Sequence, residues 1–108
     1  MDGDRTENAA ALACLTDGVL LESVKDEAVL MHIERGAYYS LNAVGARMVA
    51  LALRLPDVES VVRTLGEEYE ADADTLRRDL SRLLSELVAE DLLGVREGGI
   101  SPPAGGNR

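Results

Sequence analysis

Arg35-Gly36-Ala37-Tyr38-Tyr39-Ser40-Leu41-Asn42-Ala43-Val44-Gly45-Ala46-Arg47 packs a turn, a strand, a helix cap and a helix start into thirteen residues. Arg35-Gly36 reads as the turn. Residues 37–41 alternate as a strand, with Tyr39 and Leu41 on one face and Tyr38 and Ser40 on the other. One tyrosine then packs into the core with Leu41, while the other lies on the outer face or at a groove. Asn42 is a good N-cap, because its side-chain oxygen can accept the free amide protons of a first helical turn. The strand therefore passes into a helix without a loop. An edge strand beside a helix forms a groove that a peptide can enter as one more strand.

Upstream of this stretch, residues 19–24 read as a strand, Lys25-Asp26-Glu27 as a polar turn, and residues 28–34 as a second strand. On that second strand Val29, Met31 and Ile33 share one face, and Ala28, Leu30 and His32 share the other. Short turns join the three strands into an antiparallel meander, which needs a helical layer over its apolar face. The earlier apolar segment, residues 9–15, fits a helical turn or an extended lead-in.

Downstream, three helices follow. The first covers residues 43–53, with Val44, Met48, Leu51 and Leu55 toward the core, and ends where Pro56 disfavours helix in the residue before it. The second runs from the capping residue Asp57 to Tyr69, with Val58, Val61, Val62, Leu65 and Tyr69 at helical spacing. The third, capped by Asp72 or Asp74, carries the stripe Leu76, Leu80, Leu83, Leu84, Leu87 and Val88. Gly94 is its expected stop, and Val95 begins a short extended piece. The predicted fold is α+β: a three-stranded antiparallel N-terminal sheet followed by three helices, in an order like a winged helix-turn-helix. The domain spans residues 18–97, between a flexible N-terminal segment (1–17) and a disordered Gly/Pro tail (98–108).

The 108 residues suit one domain, and with neither Trp nor Phe the core must be Leu, Val and Ala. A formal net charge of -9 argues against nucleic acid, whose phosphates require lysine and arginine. The third helix carries Arg77, Arg78 and Arg82, but Asp72, Asp74, Asp79, Glu86, Glu90 and Asp91 outweigh them for groove entry. Cys14 is the one cysteine, so it makes neither an internal disulfide nor, alone, a zinc site. No membrane-length apolar run is present, and the acidic start lacks the basic region of a signal peptide. A cytoplasmic location is expected. His32, the single histidine, lies on a strand away from any evident nucleophile. No carboxylate pair sits in an apolar setting that would separate two pKa values, and no glycine-rich phosphate loop occurs. Neither catalysis, a cofactor nor a metal is expected.

The run from Gly36 to Ala46 resembles the signature of the PqqD family. Glu67-Glu68-Tyr69, the acidic linker, and the long helix that ends before Leu92-Leu93-Gly94-Val95 are similar to family members as well. The resemblance extends over residues 19–95 and implies three strands followed by three helices. It further implies a recognition element of ribosomally made, post-translationally modified peptides. Such an adaptor binds the leader of a precursor peptide and presents it to a modifying enzyme. A stand-alone chain of this size is similar to the small recognition subunit of a split lasso-peptide maturation system, whose partner is a separate leader peptidase. The implied binding site is Tyr38, Tyr39, Ser40 and Leu41 on the strand, faced by Leu76, Asp79, Leu80 and Leu83 on the third helix. No nucleic acid or membrane is implied as a partner, and the open strand edge allows a homodimer. The rival readings are a winged-helix DNA-binding protein and a PqqD-type chaperone of another peptide-modification pathway.

Overall fold

The structure is a computed structural model and describes residues 11–96. The strands are β1 (Ala13–Leu15), β2 (Val19–Val24), β3 (Glu27–His32), β4 (Ala37–Leu41) and β5 (Leu93–Val95). Between β4 and β5 lie the helices α1 (Ala43–Ala52), α2 (Val58–Glu68) and α3 (Ala73–Ala89). The predicted α+β class and the strand–helix order are met. Residues 1–10 and the expected disordered tail lie outside the described residues.

The meander is an antiparallel sheet in the order β2-β3-β4. A two-residue turn joins β2 to β3, with Lys25 at φ 60°, and Gly36 takes φ 69° in the β3–β4 turn. Ala28, Leu30 and His32 of β3 are buried, so this is the face that meets the helices. Each helix has an aspartate or asparagine cap. Asn42, Asp57 and Asp72 accept from the amides of Gly45, Ser60 and Thr75. At Gly45 a Cβ would stand 3.3 Å from Asn42 Oδ1, so glycine lets cap and helix close tightly.

The core is the aliphatic layer that the composition requires. Leu30, Val49, Val61, Leu65, Leu80, Leu84 and Leu87 are fully buried, with Leu12 among them. That last residue corrects the expectation of a flexible segment over residues 1–17. From Ala11 onward the chain is part of the domain: β1 pairs antiparallel with β5, Ala13 opposite Val95 and Leu15 opposite Leu93. The Leu12 amide donates to Leu55 O at 2.7 Å, and Arg96 N–H donates to Leu12 O at 2.8 Å. The extended alternative for residues 9–15 is thus the one adopted over Ala13–Leu15, and a second, two-stranded sheet joins the expected one.

Three smaller expectations also change. Val44 and Val88 are exposed, at the margins of their helical stripes. The third helix stops before Gly94, because Asp91 adopts the left-handed conformation (φ 62°) that was expected of glycine. Gly94 lies in β5, across from Cys14. Among the described residues no helix is long and apolar enough to cross a membrane.

Candidate functional site

The backbone of β4 defines the site. Ile33 N–H donates to Gly18 O at 2.8 Å, which fixes the hydrogen-bonded pairs between β2 and β3. Antiparallel pairing alternates along a strand. The groups of Ala28, Leu30 and His32 therefore point the other way, to their partners Leu41, Tyr39 and Ala37 on β4. By the same alternation, the N–H and C=O of Tyr38 and Ser40 point off the sheet, along its open edge.

The side chains follow the alternation as well. Tyr39 and Leu41 turn inward, with Leu41 buried and Tyr39 half-buried against the core. Tyr38 is 71% exposed on the outer face, beside the exposed Ser40. The Tyr39 hydroxyl donates to Glu86 Oε1 of α3 at 2.5 Å, spanning from β4 to the helix. That hydrogen bond to a carboxylate, helped by burial and the charges of Glu86 and Glu90, holds the Tyr39 pKa above the usual tyrosine value. At the next turn toward the C-terminus of α3, Arg35 donates to Glu90 O at 3.3 Å and lies 3.5 Å from Asp91 Oδ2. His32 Nε2 lies 4.0 Å from the same oxygen. His32 is buried, and its Nδ1 has no hydrogen-bond partner.

Beside the β4–α1 junction, a cleft of about 460 Å³ opens between α1 and α3. Asn42, Val44, Gly45 and Met48 form one wall, and Asp79, Arg82, Leu83 and Glu86 the other. Of the four helix residues expected to face the strand, Asp79 and Leu83 line this cleft. Leu76 and Leu80, with 4% and 0% of their surfaces exposed, lie in the core beneath it. The leucine stripe is wider than the groove, and periodicity gives no way to divide it. Arg77, on the same helix, is turned away: it donates to both carboxylate oxygens of Glu59 on α2 and to Asp74. Sequence reading missed Asn42, Val44, Gly45, Met48, Arg82 and Glu86 as wall residues, since their meeting depends on how α1 crosses α3.

The arrangement offers two things together: an unpaired strand edge, and a partly apolar cleft with carboxylates on its wall. An unpaired strand edge is the kind of surface to which an extended chain can add as a further strand.

Residues 27–93 match the family model described as coenzyme PQQ synthesis protein D (PqqD). The chain belongs to the PqqD family. Among solved structures, it is similar to TbiB1 in complex with the TbiA(beta) leader peptide. The two share 34% identity and a TM-score of 0.69, over 81% of this chain and 98% of that one. A lasso peptide synthetase B1 complexed with the leader peptide shares the fold, at 24% identity and a TM-score of 0.71, over 78% of this chain and 99% of that one. No curated protein matches the chain.

Proposed function

We propose that this PqqD-family protein is a non-catalytic adaptor that binds the leader of a ribosomally made precursor peptide. The leader adds as a strand to β4 and is presented to a separate leader peptidase or other modifying enzyme. The observation that carries the reading is the open β4 edge beside the α1–α3 cleft, in a chain that is 34% identical over most of its length to a protein solved with a leader peptide. Lasso-peptide maturation in the cytoplasm is the pathway the resemblance favours.

In this reading the leader bonds to the N–H and C=O of Tyr38 and Ser40. Alternate leader side chains turn inward, past Tyr39 and Leu41, toward Leu83 and Asp79. Leu76 and Leu80 support that wall from beneath. Ordering a flexible leader costs about 2–5 kcal/mol of gross binding energy. The resulting modest affinity suits a protein that hands its cargo on. Open edges also allow pairing between two copies, and leader and second copy would then compete for β4.

The test is fluorescence anisotropy of labelled leader peptide, taken from the neighbouring precursor gene, titrated with the purified protein. Saturable binding that a scrambled leader does not reproduce is expected. A folded protein that leaves the anisotropy unchanged would refute the adaptor.

A further inference from the structure

The wall that α3 gives the proposed peptide groove carries charges that strand addition does not require. Asp79, Leu83, Glu86 and Glu90 follow one another at steps of four, three and four residues, so they form one line along the helix. The three carboxylates are exposed and Leu83 is half-buried. This line faces β4: the Tyr39 hydroxyl donates to Glu86, and Arg35, in the turn before β4, donates to the Glu90 carbonyl. Among the described residues no ion pair engages Asp79, Glu86 or Glu90. Arg35 lies against Asp91, Arg47 against Glu68, and Arg77 against Glu59 and Asp74. Arg82 is the cation on the cleft wall, one turn from Asp79 and from Glu86, and it pairs with neither. One guanidinium against three carboxylates leaves the wall acidic. Glu86 and Glu90 are also like charges four residues apart, an arrangement that costs a helix stability until a cation joins it. Both charges reach the strand, where they help hold the Tyr39 pKa up.

We infer that this wall selects a leader in which one apolar residue is flanked, two positions away on each side, by lysine or arginine. The spacing fits. Alternate residues of an extended chain stand about 6.8 Å apart on one face. Helix residues four and three apart rise by about 6 and 4.5 Å. The apolar residue meets Leu83, Val44 and Met48, and the two basic residues meet Asp79 and Glu86. On the Glu86 side the stem of the basic residue lies along the Tyr39 ring, with Glu90 as a second carboxylate for its head. The β4 edge and the cleft make the site, and the carboxylates decide which side chains it accepts, so the inference rests on the adaptor reading.

The probe is the labelled leader of the neighbouring precursor gene, with synthetic copies in which each lysine or arginine in turn is replaced by glutamine. Binding to the full-length protein is read by anisotropy at low salt. Glu86→Gln with Glu90→Gln removes two charges and leaves Tyr39 an acceptor. Glu67→Gln with Glu70→Gln removes two exposed charges near the end of α2, outside the cleft lining, and serves as the matched control. The groove pair is expected to raise Kd about fivefold or more, and the control by less than about twofold. Two leader replacements, four residues apart, should each raise Kd about threefold or more, and one of them should have no further effect on the groove-pair protein. These replacements need no variant protein, so they decide the matter even if the groove pair destabilises the fold. A leader that binds but has no such basic pair, or tolerates every replacement, overturns the inference. So does a control that weakens binding as much as the groove pair, since the effect is then one of net charge. A leader that does not bind the parent at all refutes the adaptor reading itself, and the inference falls with it.

Discussion

Replacing Ser40 with proline tests the proposed edge at the level of single backbone groups. Proline removes an N–H, so its effect depends on where that N–H points. The register directs the Tyr39 N–H into the sheet, toward Leu30, and that of Ser40 off its open edge. Ser40→Pro should therefore fold, since proline is tolerated on edge strands whose N–H faces solvent. A stability cost below about 2 kcal/mol is expected, mainly from fixing φ. Leader binding should weaken more clearly. The complex loses one main-chain hydrogen bond, worth about 0.5–1.5 kcal/mol net, and leaves a leader carbonyl without its partner at a cost of about 1–3 kcal/mol. Together, about 1.5–4.5 kcal/mol at about 1.4 kcal/mol per tenfold, these should raise Kd roughly tenfold to a thousandfold. Tyr39→Pro should instead break the β3–β4 ladder and unfold the sheet. Thermal unfolding by circular dichroism and leader anisotropy measure the two quantities. A folded Ser40→Pro protein with unchanged Kd would refute strand addition at β4. Unfolding of Ser40→Pro together with a well-folded Tyr39→Pro would refute the assigned register.

Leu83→Asp, at a half-buried position on the cleft wall, should weaken leader binding at least tenfold with the fold retained; unchanged anisotropy would remove α3 from the site. Leu12→Ala should cost about 2–5 kcal/mol, because Leu12 is fully buried, and lower Tm by roughly 8 °C or more. A change of under about 0.5 kcal/mol would mean that this segment adds nothing to the domain. The surface carboxylates predict acid sensitivity. Hydrogen bonds from Arg47, Arg77 and Ser60 hold Glu68, Glu59 and Asp57 below their ordinary values. Their folded-state values are depressed, so their contribution is present above the unfolded carboxylate range and lost as pH falls through the folded values. Tm should be nearly level from about pH 6 to 8 and fall below about pH 4; Glu68→Gln should lessen that fall, and a Tm indifferent to acid would contradict the pairing.

Local chemistry was the legible part of the sequence. Asn42, Asp57 and Asp72 mark their helix starts because capping needs only an oxygen three residues from an amide. The Tyr38/Tyr39 alternation was readable because a strand has period two. Features that depend on distant partners were not legible. Residues 13–15 become a strand only because residues 93–95 arrive beside them, and three residues carry no periodicity of their own. Asp91 takes the left-handed stop expected of Gly94, because Gly94 is drawn into β5, where it pairs with Cys14 of β1. The site divides in the same way. Its strand half follows from alternation, whereas its helix half required the crossing of α1 and α3. That crossing buries Leu80 and leaves Leu83 and Asp79 on the cleft.

The pairing of β1 with β5 has an architectural consequence. Chain entering at Ala13 and chain leaving at Val95 run antiparallel as direct neighbours, about 5 Å apart as for any such pair. The fold thus behaves as a cassette whose two connections share one doorway. Spliced into a surface loop of a host enzyme, it would demand almost no spreading of the host's own backbone. Reading of the cargo and chemistry on the cargo could then be joined in one polypeptide without redesigning either.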